Sequence, residues 1–230
     1  MKLLTLDTST TACSVALTVD EQLIAEYMLN ISGRQSTRIM EAVDTVLRHA
    51  GMTVKDLDGF GVALGPGSFT GLRVGLATVK GLALASGKPV AGFSSLSMLA
   101  MNLPFAALPV CPLFDARKKE VYGGLYRWDA GPVPVFPDCV LPPALFLARL
   151  TEPVIFVGEG AVAYRDLIID RLGDRAHFAP FPSHQPSAAK GAFLAARAFA
   201  RGETIPLRSL APGYIRPSEA ELAKISKDLL

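Results

Sequence analysis

Cysteine is scarce: Cys13, Cys111 and Cys139 are the only three, and they stand far apart. No CxxC pair or neighbouring histidine suggests a zinc site, and so sparse a set argues against a disulfide framework. A reducing cytoplasm is the expected compartment. Histidine is just as thin, and His49, His177 and His184 show neither HxxxH nor HExxH spacing, so no metal site and no metal-dependent peptidase centre is expected. Long apolar runs are missing as well. The opening MKLLTLDTST is cut short at Asp7, too brief for a secretory signal, and nothing later approaches a bilayer-spanning length. Charge of one sign is also lacking: 23 Lys and Arg face 21 Asp and Glu, divided 8 against 8 up to Val110 and 15 against 13 beyond it. No half of the chain is a polyanion magnet. Arg117-Lys118-Lys119 is the only run of three basic residues and reads more readily as a solvated turn than as a nucleic-acid patch. RNA would be reached only with a partner's help.

Half of the residues are hydrophobic and 19% are charged, a balance that can bury a substantial core. Leu3 to Asp7 reads as a short strand. Val15, Leu17 and Val19 alternate with smaller or polar residues as a second, making a hairpin around Thr8 to Thr11. Leu23 to Leu29 is a third. Ser36 or Thr37 can cap a helix with Ile39, Met40, Val43, Val46, Leu47 and Ala50 at helical spacing, closed by Gly51. Phe60 to Leu64 is a fourth strand, followed by a glycine-rich turn, a second helix, a strand at Pro89 to Phe93 and a helix at Ser95 to Asn102. The second half repeats this order loosely: strands at Val110 to Asp115, Glu120 to Trp128 and Val133 to Val140, a helix from Pro142-Pro143 to Leu150, a strand at Val154 to Val157, a helix at Ala161 to Leu172, a short strand near Phe178, and a final helix at Ser187 to Arg201. Two copies of a βββαβαβα unit describe an α/β protein of the actin-like ATPase (ASKHA) architecture, with subdomains at 1–104 and 105–230.

In that architecture the first hairpin turn approaches nucleotide phosphate. Here it reads Asp7-Thr8-Ser9-Thr10-Thr11, with none of the glycines that let a backbone approach phosphate closely. Its hydroxyls can donate to phosphate or satisfy turn backbone groups, and Asp7 is a candidate metal or water ligand. Gly158 and Gly160, in the second half, belong to a strand-to-helix turn that could face the same cleft. ATP or ADP is therefore a candidate ligand at Asp7, Thr8, Ser9, Thr10, Gly158 and Gly160.

The stretch Gly65-Pro66-Gly67-Ser68-Phe69-Thr70-Gly71 invites a phosphate-loop reading, since glycines precede a helix N-terminus. It matches neither standard pattern: Thr70 stands where GxGxxG needs glycine, no Gly-Lys-Ser/Thr follows at Walker spacing, and Pro66 removes an amide donor. In the helix beyond it Gly71, Gly75, Thr78, Leu82 and Ala85 share one side, while Leu72, Leu76, Val79 and Ala83 form another apolar side. Gly75 costs about 0.8–1 kcal/mol of helix propensity relative to Ala, which close approach of another backbone would offset. Periodicity leaves open whether that backbone belongs to the same domain or to another chain.

The motif GPGSFTGLRVG, with Leu6-Asp7-Thr8-Ser9, Phe114-Asp115-Ala116-Arg117, Glu120-Val121-Tyr122, Val157-Gly158-Glu159-Gly160-Ala161 and Pro212-Gly213-Tyr214-Ile215-Arg216, resembles the TsaB (YeaZ) family of bacterial tRNA threonylcarbamoyladenosine (t6A) biosynthesis. The resemblance spans nearly the whole chain. It implies a subunit without catalysis of its own and without a cofactor of its own, related in fold to the catalytic subunit TsaD. It also implies association with TsaD and the ATPase TsaE, so that TsaD transfers a threonylcarbamoyl group to adenosine 37 of tRNAs reading ANN codons. Contact with tRNA would then be indirect, and the same surface could form a homodimer. Carried over, the partner helices are Thr37 to Ala50 and Gly71 to Ala85, with Ile39, Met40, Val43, Leu47, Gly71, Leu72, Arg73, Gly75, Leu76 and Val79 as interface residues. Older glycoprotease-like descriptions of the family find no supporting nucleophile or metal ligand here. The alternative function is an autonomous actin-like ATPase or small-molecule kinase using Asp7 and the Thr8 to Thr11 turn.

Overall fold

A computed structural model describes residues 1–31 and 35–215, with the side chains of 35–37 outside the description. The expected capping by Ser36 or Thr37 and the end of the Pro212 to Arg216 motif lie outside the described residues. The chain forms two five-stranded mixed sheets of one topology. In the first, β1 (Lys2–Asp7) pairs antiparallel with β2 (Ala12–Val19), which pairs antiparallel with β3 (Gln22–Asn30). On its other side β1 runs parallel to β4 (Gly59–Gly65), and β4 parallel to β5 (Val90–Ser94). Helix α1 (Gln35–His49) joins β3 to β4, and α2 (Phe69–Ser86) joins β4 to β5. Helix α3 (Ser95–Ala100) leads into the second half.

There β6 (Val110–Asp115), β7 (Val121–Trp128) and β8 (Pro132–Leu141) form the antiparallel part, and β9 (Val154–Val157) and β10 (Ala176–Phe178) extend β6 in parallel. Both sheets therefore run third, second, first, fourth, fifth strand, which is the duplication expected of the actin-like architecture. Crossover helices are α4 (Pro143–Leu147), α5 (Glu159–Ala163) and α6 (Arg165–Leu172), and the last helix is α7 (Ala188–Ala200).

The single helix expected over Ala161 to Leu172 is broken. Tyr164 leaves helical geometry at φ −107°, ψ 20°. Helix α4 is shorter than expected, tightening after Leu147 into turn bonds from Arg149 to Phe146 and from Leu150 to Leu147. Gly51, in left-handed geometry at φ 65°, stands just beyond α1, and Thr53 and Asp56 form the capping box that their spacing suggests, with Thr53 N donating to Asp56 Oδ2 at 2.8 Å.

Alternation along β1 explains the layering. Leu4 and Leu6 point toward α1 and α2, joining Val15, Leu17, Ile39, Val43, Leu47, Leu76 and Val79 in one core. Leu3 points the other way, with Ala63, Ala91 and Phe93, toward Ala195 and Ala198 of α7. The last helix of the second half thus closes the first sheet. In return Leu96 and Leu99 of α3 pack against Val110, Phe114 and Tyr126 of the second. Among the described residues no helix is long and apolar enough to cross a membrane.

Candidate functional site

The β1–β2 turn and the start of α2 form one packed unit. Asp7 closes β1, and its Oδ1 accepts from Ser9 N at 3.0 Å, the usual way an aspartate shapes a tight turn. Thr10 Oγ1 accepts from Ala12 N at 3.1 Å. Above the turn lies the glycine-rich loop, where Ser68 N donates to Ser9 O at 2.6 Å and Thr8 Oγ1 donates to Gly71 O at 2.7 Å. Ser68 also caps α2, its Oγ accepting from Gly71 N at 3.2 Å.

The glycines make this approach possible. A Cβ on Gly67 would lie 2.2 Å from Ser9 O, one on Gly71 2.1 Å from Thr8 O, and one on Gly75 2.3 Å from Thr8 Oγ1. Real carbon atoms do not come so close to oxygen, so three glycines at four-residue spacing form a bare track along which α2 rests on the turn. Gly75 therefore offsets its helix-propensity cost inside this chain, against Thr8.

Burial has an electrostatic consequence. Asp7, Thr8, Ser9 and Thr10 are all buried, and among the described residues Asp7 Oδ2 has no hydrogen-bond partner. Burial raises the Asp7 carboxyl from 3.8 to about 6, against the lowering effect of hydrogen bonds from Ser9 and Thr8. The neighbouring Cys13 thiol is pushed up to about 11 by its own burial and by the Asp7 charge.

Gly158 and Gly160 pack against the end of β6. A Cβ on Gly158, at φ 105°, would lie 2.3 Å from Leu113 O, and one on Gly160 2.8 Å from the Phe114 carbonyl carbon. Gly158 N donates to Nδ1 of His184 at 3.0 Å, and burial holds that imidazole below its ordinary pKa. Asp115 repeats the Asp7 turn at the end of β6, with Oδ1 accepting from Arg117 N at 2.8 Å. The basic run beyond it is an exposed hairpin tip in left-handed geometry, with φ of 61°, 51° and 62° at Arg117, Lys118 and Lys119.

The ten interface candidates divide sharply. Ile39, Val43, Leu47, Gly71, Leu72, Gly75, Leu76 and Val79 are buried inside the chain's own fold, and Met40 and Arg73 are exposed. On α2 the outward residues are Arg73, Ala77, Lys80, Gly81, Leu84 and Ala85, with Val74 and Thr78 half-buried. A Cβ on Gly81 would meet nothing within 4 Å, and Leu84 is 76% exposed. This face, missed in the sequence reading, has the small residues that close helix contact requires. Its signal was present in the Ala77, Gly81, Leu84 and Ala85 spacing, hidden because α2 is apolar nearly all round. At the first turn of α2, Tyr214 stacks on Phe69 with ring centroids 5.2 Å apart, and its hydroxyl accepts from Arg73 Nε at 2.8 Å.

Residues 30–224 match the family model described as TsaD, tRNA N6-adenosine threonylcarbamoyltransferase. The tRNA threonylcarbamoyladenosine biosynthesis protein TsaB of Bacillus subtilis is 35% identical over 225 residues, covering 96% of each chain. The chain belongs to the TsaB/YeaZ family. The solved structure of YeaZ from Pseudomonas aeruginosa superposes with a TM-score of 0.80 at 32% identity, covering 93% of this chain and 99% of that one. The ROK hexokinase of Thermus thermophilus, at a TM-score of 0.51 and 13% identity over 88% of this chain and 100% of that one, shares the fold alone.

Proposed function

We propose that the chain is a non-catalytic subunit in t6A biosynthesis, which binds a TsaD-type threonylcarbamoyltransferase through the outer face of α2 and the adjoining exposed residues of α1. The observation that carries this reading is the division of α2 into two faces. Its inner track, Gly71 and Gly75, is occupied by Thr8 of the β1–β2 turn, while its outer face displays Ala77, Gly81 and Leu84 to solvent. A helix face of small and apolar residues flanked by Arg73 and Lys80 suits packing against another helix. The family relationship supplies the pathway and points to the TsaD-type partner. In this reading TsaE joins the same assembly, a homodimer competes for the same face, and tRNA is met through the complex.

Gly81→Arg places a long charged side chain on the outer face, where no neighbour opposes it. It is expected to abolish co-purification with TsaD while leaving the circular dichroism spectrum unchanged; undiminished binding would overturn the interface. Gly75→Arg cannot serve this purpose, because it collides with Thr8. Reconstituted tRNA modification, run with and without the chain, tests the function itself. Full-rate threonylcarbamoylation without it would defeat the proposal.

A further inference from the structure

Between the edge strands β5 and β8 lies a cavity of about 610 Å³ that plays no part in the reading above. Its walls mix apolar residues, Phe93, Leu194 and Ile205 among them, with polar and charged ones, and Asp129 and Asp138 both lie on its lining. Two side chains hold that carboxylate: Ser94 Oγ donates to Oδ2 at 2.6 Å and the Tyr126 hydroxyl donates to Oδ1. Gly124 clears space for it, since a Cβ there would lie 2.7 Å from Asp138 Oδ1. A carboxylate offers about four acceptor positions, and these two bonds use one on each oxygen.

Among the described residues the carboxylate is held by these two hydroxyls, and burial raises its pKa. The two arginines on the cavity lining are engaged elsewhere. Arg201 forms a two-pronged pair with Glu203 at 2.7 and 2.6 Å, and Arg197 donates to Ala130 O and lies over the Phe193 ring. Ser94 and Asp138 do join the two halves, but a structural clip needs neither an open cavity above it nor a carboxylate in place of an amide. A half-buried carboxylate with open acceptor positions, on the lining of a cavity with apolar sides, is stabilised most by a ligand that brings a cation on a hydrocarbon body.

We propose that this cavity binds a small primary alkylammonium compound, with its ammonium group on Asp138 and its aliphatic chain against Phe93, Leu194 and Ile205. The full chain is titrated with n-pentylammonium by calorimetry and by saturation-transfer NMR, with 1-pentanol as the uncharged comparator. Saturable binding is expected, weakened at least about tenfold in Asp138→Asn and for 1-pentanol, as the loss of a charge-assisted hydrogen bond implies. Val133→Trp adds bulk at an exposed residue of the lining, and is expected to block binding in a chain that melts normally. Equal binding of 1-pentanol, full binding by Val133→Trp, or no saturable binding to the unaltered chain would each overturn the proposal.

Discussion

The hydroxyl of Thr8 donates to the carbonyl oxygen of Gly71 at 2.7 Å, joining a turn and a helix 63 residues apart in sequence. This bond lies where the three-glycine track meets the hairpin. It links the two groups of residues that sequence reasoning assigned to different roles, one to nucleotide and the other to a partner.

Adding a methyl group along the track should destabilise the fold. Gly71→Ala drives its Cβ to 2.1 Å from Thr8 O, and overpacking of this kind costs about 1–3 kcal/mol even after the gain in helix propensity. Gly81→Ala, with open space around it, is expected to stabilise by up to about 1 kcal/mol. Urea unfolding of the two variants, side by side, checks both signs.

Asp7 makes stability depend on pH in an unusual direction for a carboxylate. Its folded pKa, about 6, lies above the value of about 3.9 in an unfolded chain, so the folded state holds the proton more tightly. Its contribution is fully present below pH about 4 and is lost as pH rises through about 6. The size approaches about 3 kcal/mol as an upper bound. Asp7→Asn should remove this slope and raise stability at pH 7.5. Denaturation midpoints between pH 4 and 8 report it, and an unchanged slope would place the proton elsewhere.

Glu26 of β3 holds the start of α7 in place. Its Oε1 accepts from Ser14 Oγ at 2.8 Å, Ser187 Oγ at 2.7 Å and Ala189 N at 3.2 Å. Glu26→Ala removes an anion from a helix N-terminus together with these bonds, and a loss of about 1–3 kcal/mol is expected in thermal unfolding.

Tyr214→Ala should loosen the chain's return across α2. The stack on Phe69 and the bond from Arg73 both vanish, while Gly213 N still donates to Leu64 O at 2.8 Å. Hydrogen exchange at the Gly213 amide is expected to accelerate about tenfold, corresponding to the loss of one aromatic contact and one hydrogen bond.

Much of the fold was legible because burial leaves a periodic trace. Val15, Leu17 and Val19 alternate, Ile39, Val43 and Leu47 recur at helical spacing, and β9 begins and ends where its apolar run does. The break at Tyr164 left no such trace in the apolar spacing. The exchange of α3 and α7 between the sheets was equally hidden, because an amphipathic helix declares that it has an apolar face without naming the sheet that covers it.

The glycine-rich stretch shows the same boundary. The amino-acid order alone determined that a turn leads into a helix apolar on two sides, and that Gly71 and Gly75 need a close neighbour, since both follow from local geometry and spacing. Only the tertiary structure decided that the neighbour is Thr8 of the same chain and that the free face carries Ala77, Gly81 and Leu84. The reason is physical: spacing shows which residues share a side of the helix, but both apolar sides turn inward here, and what covers the glycine side is a hairpin more than sixty residues away.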